Sequence, residues 1–372
     1  MMNRQKVLIL GHLPPPYMGP AIATEIILNS TLRDSFDLLH LDTNVHKNIN
    51  TLYKWSVRSL FLNFQNYLNM GSLLFNNSPS IVLIPISQTT LGFIKDSLYI
   101  YIAWLFRKKI ILQLRGSNFL NWYQNSSFIN RQYVEIVLNR ASGVIVLGEK
   151  IKCQFNRFFS LDQIYVVPNG GNYNILLEKN YCDRHHITLL YLSNLQASKG
   201  IDDVINAVSL IKDKVAGCHI DVIGEWRNEK DRIRINGLVK RDNIPVNFHS
   251  TQIGEAKFSI LSQADIFLFP PREPEGHPWV IVEAMAAGLP IIATDQGAIT
   301  ESVKDGVNGF IVEKQNPAQI AEKIIYLIEH PDVREQMGKA SRRLYLENFT
   351  EEKMVARMVH TFNTVLGSQN AY

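Results

Sequence analysis

The chain has 372 residues, 46% apolar and 19% charged, with a formal charge of +4 and an isoelectric point near 8.8. That length exceeds what one hydrophobic core usually serves (~250–300 residues), and the composition excludes a disordered chain, so two globular domains are expected. Three widely spaced cysteines, Cys153, Cys182 and Cys218, fit neither a disulfide framework nor a zinc site, which points to a reducing, cytoplasmic setting.

In chain order, residues 6–10 (Lys-Val-Leu-Ile-Leu) are an unbroken apolar run ended by Gly11, the pattern of a buried parallel strand. The run is too short for a secretory signal. A loop rich in proline and glycine follows at 14–20, then a helix over 21–33. Further strands are expected at 36–41, 80–85, 109–114, 143–147 and 164–167. Segment 52–75 intersperses Trp55, Phe61, Phe64 and Leu68 with Lys54 and Arg58 and reads as an amphipathic helix. Such a helix either packs in the core or touches a lipid-linked acceptor or the membrane interface. The densest apolar run, 98–106, falls far short of the ~20 residues a membrane span requires.

Asn169-Gly-Gly-Asn172 and the polar stretch to His186 read as an interdomain connection, giving an N-terminal domain over 1–178 and a C-terminal domain over 179–351. The charge is uneven: residues 1–178 carry +7 and the remainder −3. A basic first half suits phosphate-bearing acceptors, an anionic membrane surface or an ordinary solvated face. Its cations are not gathered into one strip, so nucleic acid is not an expected partner.

The second half restarts the alternation with a strand over 187–192, then strands at 219–223, 246–249, 265–270, 290–293 and 310–312. Helices fill the gaps at 200–212, 255–263, 280–287 and 317–329, the last opening on Pro317. A final helix over 350–366 has Thr350 as N-cap and two glutamates in its first turn. Alternating strands and helices predict an α/β protein with a doubly wound sheet in each half, and ligands at the carboxyl ends of the strands.

The chemistry-bearing residues fall at those ends. Glu275-Gly-His-Pro-Trp-Val-Ile-Val-Glu283 places one carboxylate before a helix and one in its second turn, with first-turn N–H groups between them for anions and hydroxyls. Lys199-Gly200 follows the strand over 187–192, and Asn194 lies between. Arg115 follows the strand over 109–114. The loop from His12 carries Gly19, where backbone can approach a ligand closely. That loop is no G-x-G-x-x-G fingerprint, so no dinucleotide cofactor is expected.

The 275–283 segment, continued by Ala-Met-Ala-Ala-Gly-Leu-Pro, resembles the E-x7-E motif of the retaining GT-B glycosyltransferases of glycosyltransferase family 4, the group 1 glycosyl transferases. The resemblance implies a GT-B fold of two Rossmann-like domains facing across a cleft, with a last helix (352–372) crossing back onto the first. It implies transfer of a sugar from a nucleotide-sugar donor to an acceptor hydroxyl. Glu275 would meet sugar hydroxyls, and Gly276, His277 and Pro278 the sugar and phosphate oxygens. Val280 and Ile281 would face the nucleotide, and Glu283 would bind the ribose. The base would lie near 250–252. Lys199 would neutralise the diphosphate, approached also by Gly19, while Arg115 and, more weakly, His12 would hold the acceptor. Asn194 stands where the family most often has Arg. The missing charge falls either to Lys199 with the helix dipole or to Arg115 or Arg272. There is no Asp-x-Asp motif, so a metal-independent reaction without cofactor is expected, in surface polysaccharide or glycolipid assembly at the inner membrane face. A GT-B epimerase or phosphorylase, or a non-catalytic nucleotide-sugar-binding protein, are the alternatives.

Overall fold

Two parallel six-stranded sheets, one in each of two compact units, form the frame of the computed structural model, which describes residues 4–15, 17–45, 57–173, 175, 186–213 and 217–367. Unit 1 is Met1–Asn169 with Glu351–Tyr372, and unit 2 is Gly170–Thr350. Lys54 and Trp55, and most of the expected connection up to His186, lie outside the described residues.

The strands of unit 1 are β1 (Lys6–Gly11), β2 (Asp37–Asp42), β3 (Ile81–Ile86), β4 (Lys109–Leu114), β5 (Gly143–Val146) and β6 (Ile164–Val166), in the order β2-β1-β3-β4-β5-β6. Unit 2 has β7 (Ile187–Leu192), β8 (Cys218–Ile223), β9 (Val246–His249), β10 (Ile266–Phe269), β11 (Ile291–Thr294) and β12 (Gly309–Val312), in the order β12-β11-β10-β7-β8-β9. Every strand expected from the sequence is present, its ends displaced by no more than one residue. The reason is burial: central strands covered on both faces must be apolar throughout, as Val7–Leu10, Ile81–Ile84 and Ile266–Phe269 are.

Both orders contain a switch point. The chain leaves β1 on one side to form β2 and returns on the other to form β3. In unit 2 it goes from β7 to β8 and β9, then back past β7 to β10. Successive connections there pass to opposite faces, so the strand ends are left uncovered for a ligand.

The expected helix over 21–33 is two, Gly19–Asn29 and Leu32–Ser35. Ser30 breaks it by turning extended while its hydroxyl donates to the Ile27 carbonyl at 2.8 Å. Two helices of unit 2, Glu229–Asp242 and Pro331–Asn348, were not among those expected. The first buries only Ile235, and the second buries Arg334, Gly338 and Ser341 beside Met337 and Tyr345, so neither shows an apolar stripe.

The last helix, Glu351–Leu366, packs within unit 1, where the fully buried Phe362 meets Phe36 edge to face at 5.4 Å. Phe362→Ala should cost about 3–5 kcal/mol of unit 1 stability in denaturant unfolding. A loss below about 1 kcal/mol would mean the helix contributes little to that core.

Candidate functional site

In unit 2 the loop after β7, from Ser193 to Gly200, and the loop after β10, from Pro270 to Pro278, meet at the switch point. Gly200 (φ +81°) makes the contact possible, because a Cβ there would strike the Pro270 carbonyl oxygen. The Arg272 amide donates to the Ser198 carbonyl at 2.9 Å, and the Tyr191 hydroxyl donates to the Lys199 carbonyl at 3.0 Å. The backbone at Lys199 is therefore held from both sides.

Its ammonium group forms an ion pair with Glu275, joining the two residues that the sequence pointed to from 76 positions apart. Both are largely buried. Burial raises the Glu275 pKa above the ordinary carboxylate range, and Lys199 partly offsets that rise. The loop carrying Glu275 rests on the loop after β11. Gly297 (φ +56°) lies against the Glu275 and Gly276 carbonyls, where any Cβ would collide. The Ala298 amide donates to Gly276 at 2.9 Å, and the Thr294 hydroxyl donates to Pro271 at 2.6 Å.

The helix Trp279–Ala286 begins at Pro278, whose side chain offers no cap to its first-turn N–H groups. Glu283, in the second turn, is buried, and one carboxylate oxygen accepts from Lys257 at 2.6 Å. The other takes no hydrogen bond from the described residues. Lys257 arrives from the helix Gly254–Gln263, which follows the Ser250–Gln252 loop in the chain.

The His277 ring is buried, with Nε2 2.7 Å from the Ser302 hydroxyl and the ring 5.1 Å from Phe349. It faces the interior, so what His277 and Gly276 present outward is backbone. Val280 is half-buried. Ile281, expected to face a nucleotide, is instead fully buried in the unit 2 core with Met285 and Leu289. One residue is a 100° turn on a helix, and with Val280 on the open side its neighbour turns toward the sheet.

Asn194 is half-buried, and its amide makes no hydrogen bond to the described residues. Arg272, in contrast, is clamped by Asp203 through two hydrogen bonds of 2.8 and 2.6 Å, with Asp203 in the first turn of Ile201–Ile211. Its Nη1 has no partner among the described residues. A rigidly held guanidinium therefore stands beside the Lys199 turn.

In unit 1, Gly19 is the exposed first residue of its helix, after an N-cap, Met18, that makes no side-chain cap. Arg115 leaves β4 and turns back onto that helix. Its Nε donates to Gln113 at 3.1 Å, and its Nη1 donates to the Pro20 carbonyl and to Thr24 at 3.1 Å. Nη2 is buried without a partner, and no carboxylate among the described residues pairs with the group. Desolvation lowers its pKa to about 10, which leaves it charged at neutral pH. His12 lies 3.4 Å from the Thr43 hydroxyl.

Three supporting residues carry no motif and were not anticipated: Lys257, Asp203 and Gly297. Only Gly297 left a trace, as the glycine of an Asp-Gln-Gly turn after an apolar strand.

Residues 178–344 match the family model described as Glycosyl transferases group 1, so the second half of the chain carries a domain of that kind. The chain is 29% identical over 248 residues to an uncharacterised glycosyltransferase of Methanocaldococcus jannaschii, covering 66% of this chain and 65% of the relative. It is 26% identical to the capsular polysaccharide biosynthesis glycosyltransferase CapM of Staphylococcus aureus, covering 62% of this chain and 64% of that one. Both alignments thus fall just short of two thirds of the relative's own length. Among solved structures, the Anabaena protein HepE in complex with UDP and glucose superposes with a TM-score of 0.73 at 16% identity, over 97% of this chain and 100% of that one. The fold is that of the GT-B glycosyltransferases.

Arg115 is a half-buried cation whose Nη2 is buried without a partner, and no carboxylate among the described residues pairs with it, an arrangement a protein retains only against the demands of stability. Arg115→Met should raise the thermal midpoint in the absence of ligand, by the ~1–3 kcal/mol that an unsatisfied buried polar group costs. A lowered midpoint would show that its bonds to Pro20 and Thr24 are what the fold needs.

Proposed function

We propose that this protein is a retaining glycosyltransferase that moves a sugar from a nucleotide-sugar to an acceptor hydroxyl without a metal ion. The observation that carries the reading is the Lys199–Glu275 pair at the ends of β7 and β10. One side chain matches a leaving diphosphate and the other a sugar's hydroxyls, and both sit where an open parallel sheet takes its ligands.

On donor binding, Glu275 accepts hydrogen bonds from the transferred sugar, and the N–H groups at the start of Trp279–Ala286 meet phosphate or sugar oxygens. Lys199 turns its charge onto the diphosphate as the glycosidic oxygen–carbon bond breaks. Arg272, fixed by Asp203, supplies the second cation that Asn194 does not. Glu283, steadied by Lys257, takes the ribose hydroxyls on its free oxygen. Arg115 and Gly19 serve the phosphate or acceptor from unit 1, with His12 a further acceptor contact. No protein nucleophile is required if the departing phosphate oxygen takes the acceptor's proton. Resemblance to CapM favours surface polysaccharide assembly, and the UDP and glucose held by HepE make a UDP-sugar the first donor to try.

A thermal-shift screen with UDP-, GDP- and ADP-sugars identifies the donor, and proton NMR of the product reads its anomeric configuration. An inverted product removes the retaining assignment, and binding of a donor that is neither transferred nor hydrolysed removes the enzyme. A chelator should leave the rate unchanged. Glu275→Gln and Lys199→Ala should each lower kcat/KM by about 10²–10³. The acid limb of the rate profile should lie above the ordinary carboxylate range, because Glu275 must be ionised. In Lys199→Ala it should move to higher pH, since loss of the ammonium favours the protonated acid. A limb that stays in place would detach Glu275 from that titration.

A further inference from the structure

Unit 1 carries three neighbouring helices, Val57–Asn77, Thr90–Leu105 and Phe128–Leu138, each crossing in the same direction along the sheet from β2 to β5. Right-handed crossovers place all three on one face. Their packing agrees: Tyr67 meets Tyr99 at 4.7 Å and donates to the Lys95 carbonyl at 3.1 Å, while the Ser97 and Tyr133 hydroxyls lie 2.5 Å apart.

Each helix has a buried side toward the sheet and an outward side that is not polar. On the first, Phe61, Phe64, Leu68 and Phe75 are 59–77% exposed, at spacings of three, four and seven residues that form one stripe. On the second, Leu91, Ile94, Leu98 and Leu105 repeat the same spacings and are 42–69% exposed. Phe128 and Ile129 continue the apolar surface on the third, at 67% and 81%. Thirteen of the twenty-two large apolar side chains exposed among the described residues belong to these helices, whereas all of unit 2 has six. Scattered exposed apolar residues need no explanation, but parallel stripes on adjacent helices do.

The charge around them has one sign. Between Thr43 and Val134 the only acidic residue is Asp96, which is buried beneath Lys95 and caps the Ser87 amide, against nine lysines and arginines. The next acid, Glu135, is paired with Arg157 at 3.0 Å. Arg58, Lys95 and Arg107 stand on or at the ends of the same helices. A second copy of this face would bring two basic surfaces together without a counter-charge, whereas an anionic bilayer accepts both the apolar stripes and the cations. No described helix is long and apolar enough to cross a membrane, so the contact is one of lying on the surface.

We propose that this three-helix face of unit 1 seats the protein on an anionic lipid bilayer. The inference does not depend on the transferase reading, and its test uses no donor, so either can fail without the other. Full-length protein is sedimented with phosphatidylcholine vesicles and with vesicles containing about one third phosphatidylglycerol. It should bind the second much more strongly and be released by added salt. Phe64→Ser with Leu98→Ser should weaken binding by about tenfold or more, as loss of two interfacial side chains does. Both positions are exposed, so the thermal midpoint should not change. Arg58→Gln with Arg107→Gln should reduce only the preference for the anionic vesicles. Absence of sedimentation with either vesicle, or unchanged binding by the Phe64/Leu98 variant, overturns the proposal. So does a dimer in analytical ultracentrifugation that the same two serines dissociate, which would assign the face to a second copy.

Discussion

The ion pair between Lys199 and Glu275 is the interaction on which the candidate site depends. Two largely buried opposite charges add little to stability, because withdrawing them from water costs about what their attraction returns. Their arrangement is better understood as preorganisation. The Lys199 ammonium partly offsets the cost of a charged Glu275 in a poorly solvated place, so the pair is set for a ligand that carries hydroxyls at one end and a diphosphate at the other. The backbone on both sides is fixed by contacts that tolerate no Cβ, at Gly200 against Pro270 and at Gly297 against Glu275. These glycines are thus as much a part of the site as the charged groups they place.

The same logic extends to the cations around it. Arg272 is held in one orientation by Asp203, and Glu283 by Lys257, so the groups flanking the central pair are positioned by partners that lie outside any motif. Arg115 in unit 1 is the exception. It is half-buried, and its hydrogen-bond partners among the described residues are neutral oxygens, none of them a carboxylate. A group so placed weakens the empty fold and gains from an anion, which is the usual character of a functional position rather than a structural one.

Most of the framework was legible because buried central strands leave unbroken apolar runs, and the edge-ward strands β2, β8 and β9, which carry Asp, His or Asn, still show as short strand-like runs between turns. Helices were read less evenly. Pro317–Glu329 has an apolar stripe and a proline at its start and was placed to the residue, whereas Pro331–Asn348 buries a glycine, a serine and an arginine and left no periodic signal. Within the site, Lys199, Glu275 and Glu283 were visible through spacing and the family resemblance. Asp203 and Lys257 were not, because their roles follow from which loops the strand order brings together. Ile281 shows the limit of reading adjacent helical positions as a pair, since the one beside Val280 turns into the core. The stripe on Val57–Asn77 was legible as an amphipathic helix but its facing was left open, as periodicity alone does not tell a core-facing stripe from a solvent-facing one, and the stripe on Thr90–Leu105 was not anticipated.

The most direct test of the account is a crystal structure of the protein with its strongest-binding nucleotide-sugar. The account predicts hexose hydroxyls on the Glu275 carboxylate, the diphosphate against Lys199 with Arg272 nearby, and the ribose on Glu283. A nucleotide-sugar bound away from the ends of β7 and β10, or one that leaves Glu275 closed on Lys199 and out of reach of the sugar, would contradict it.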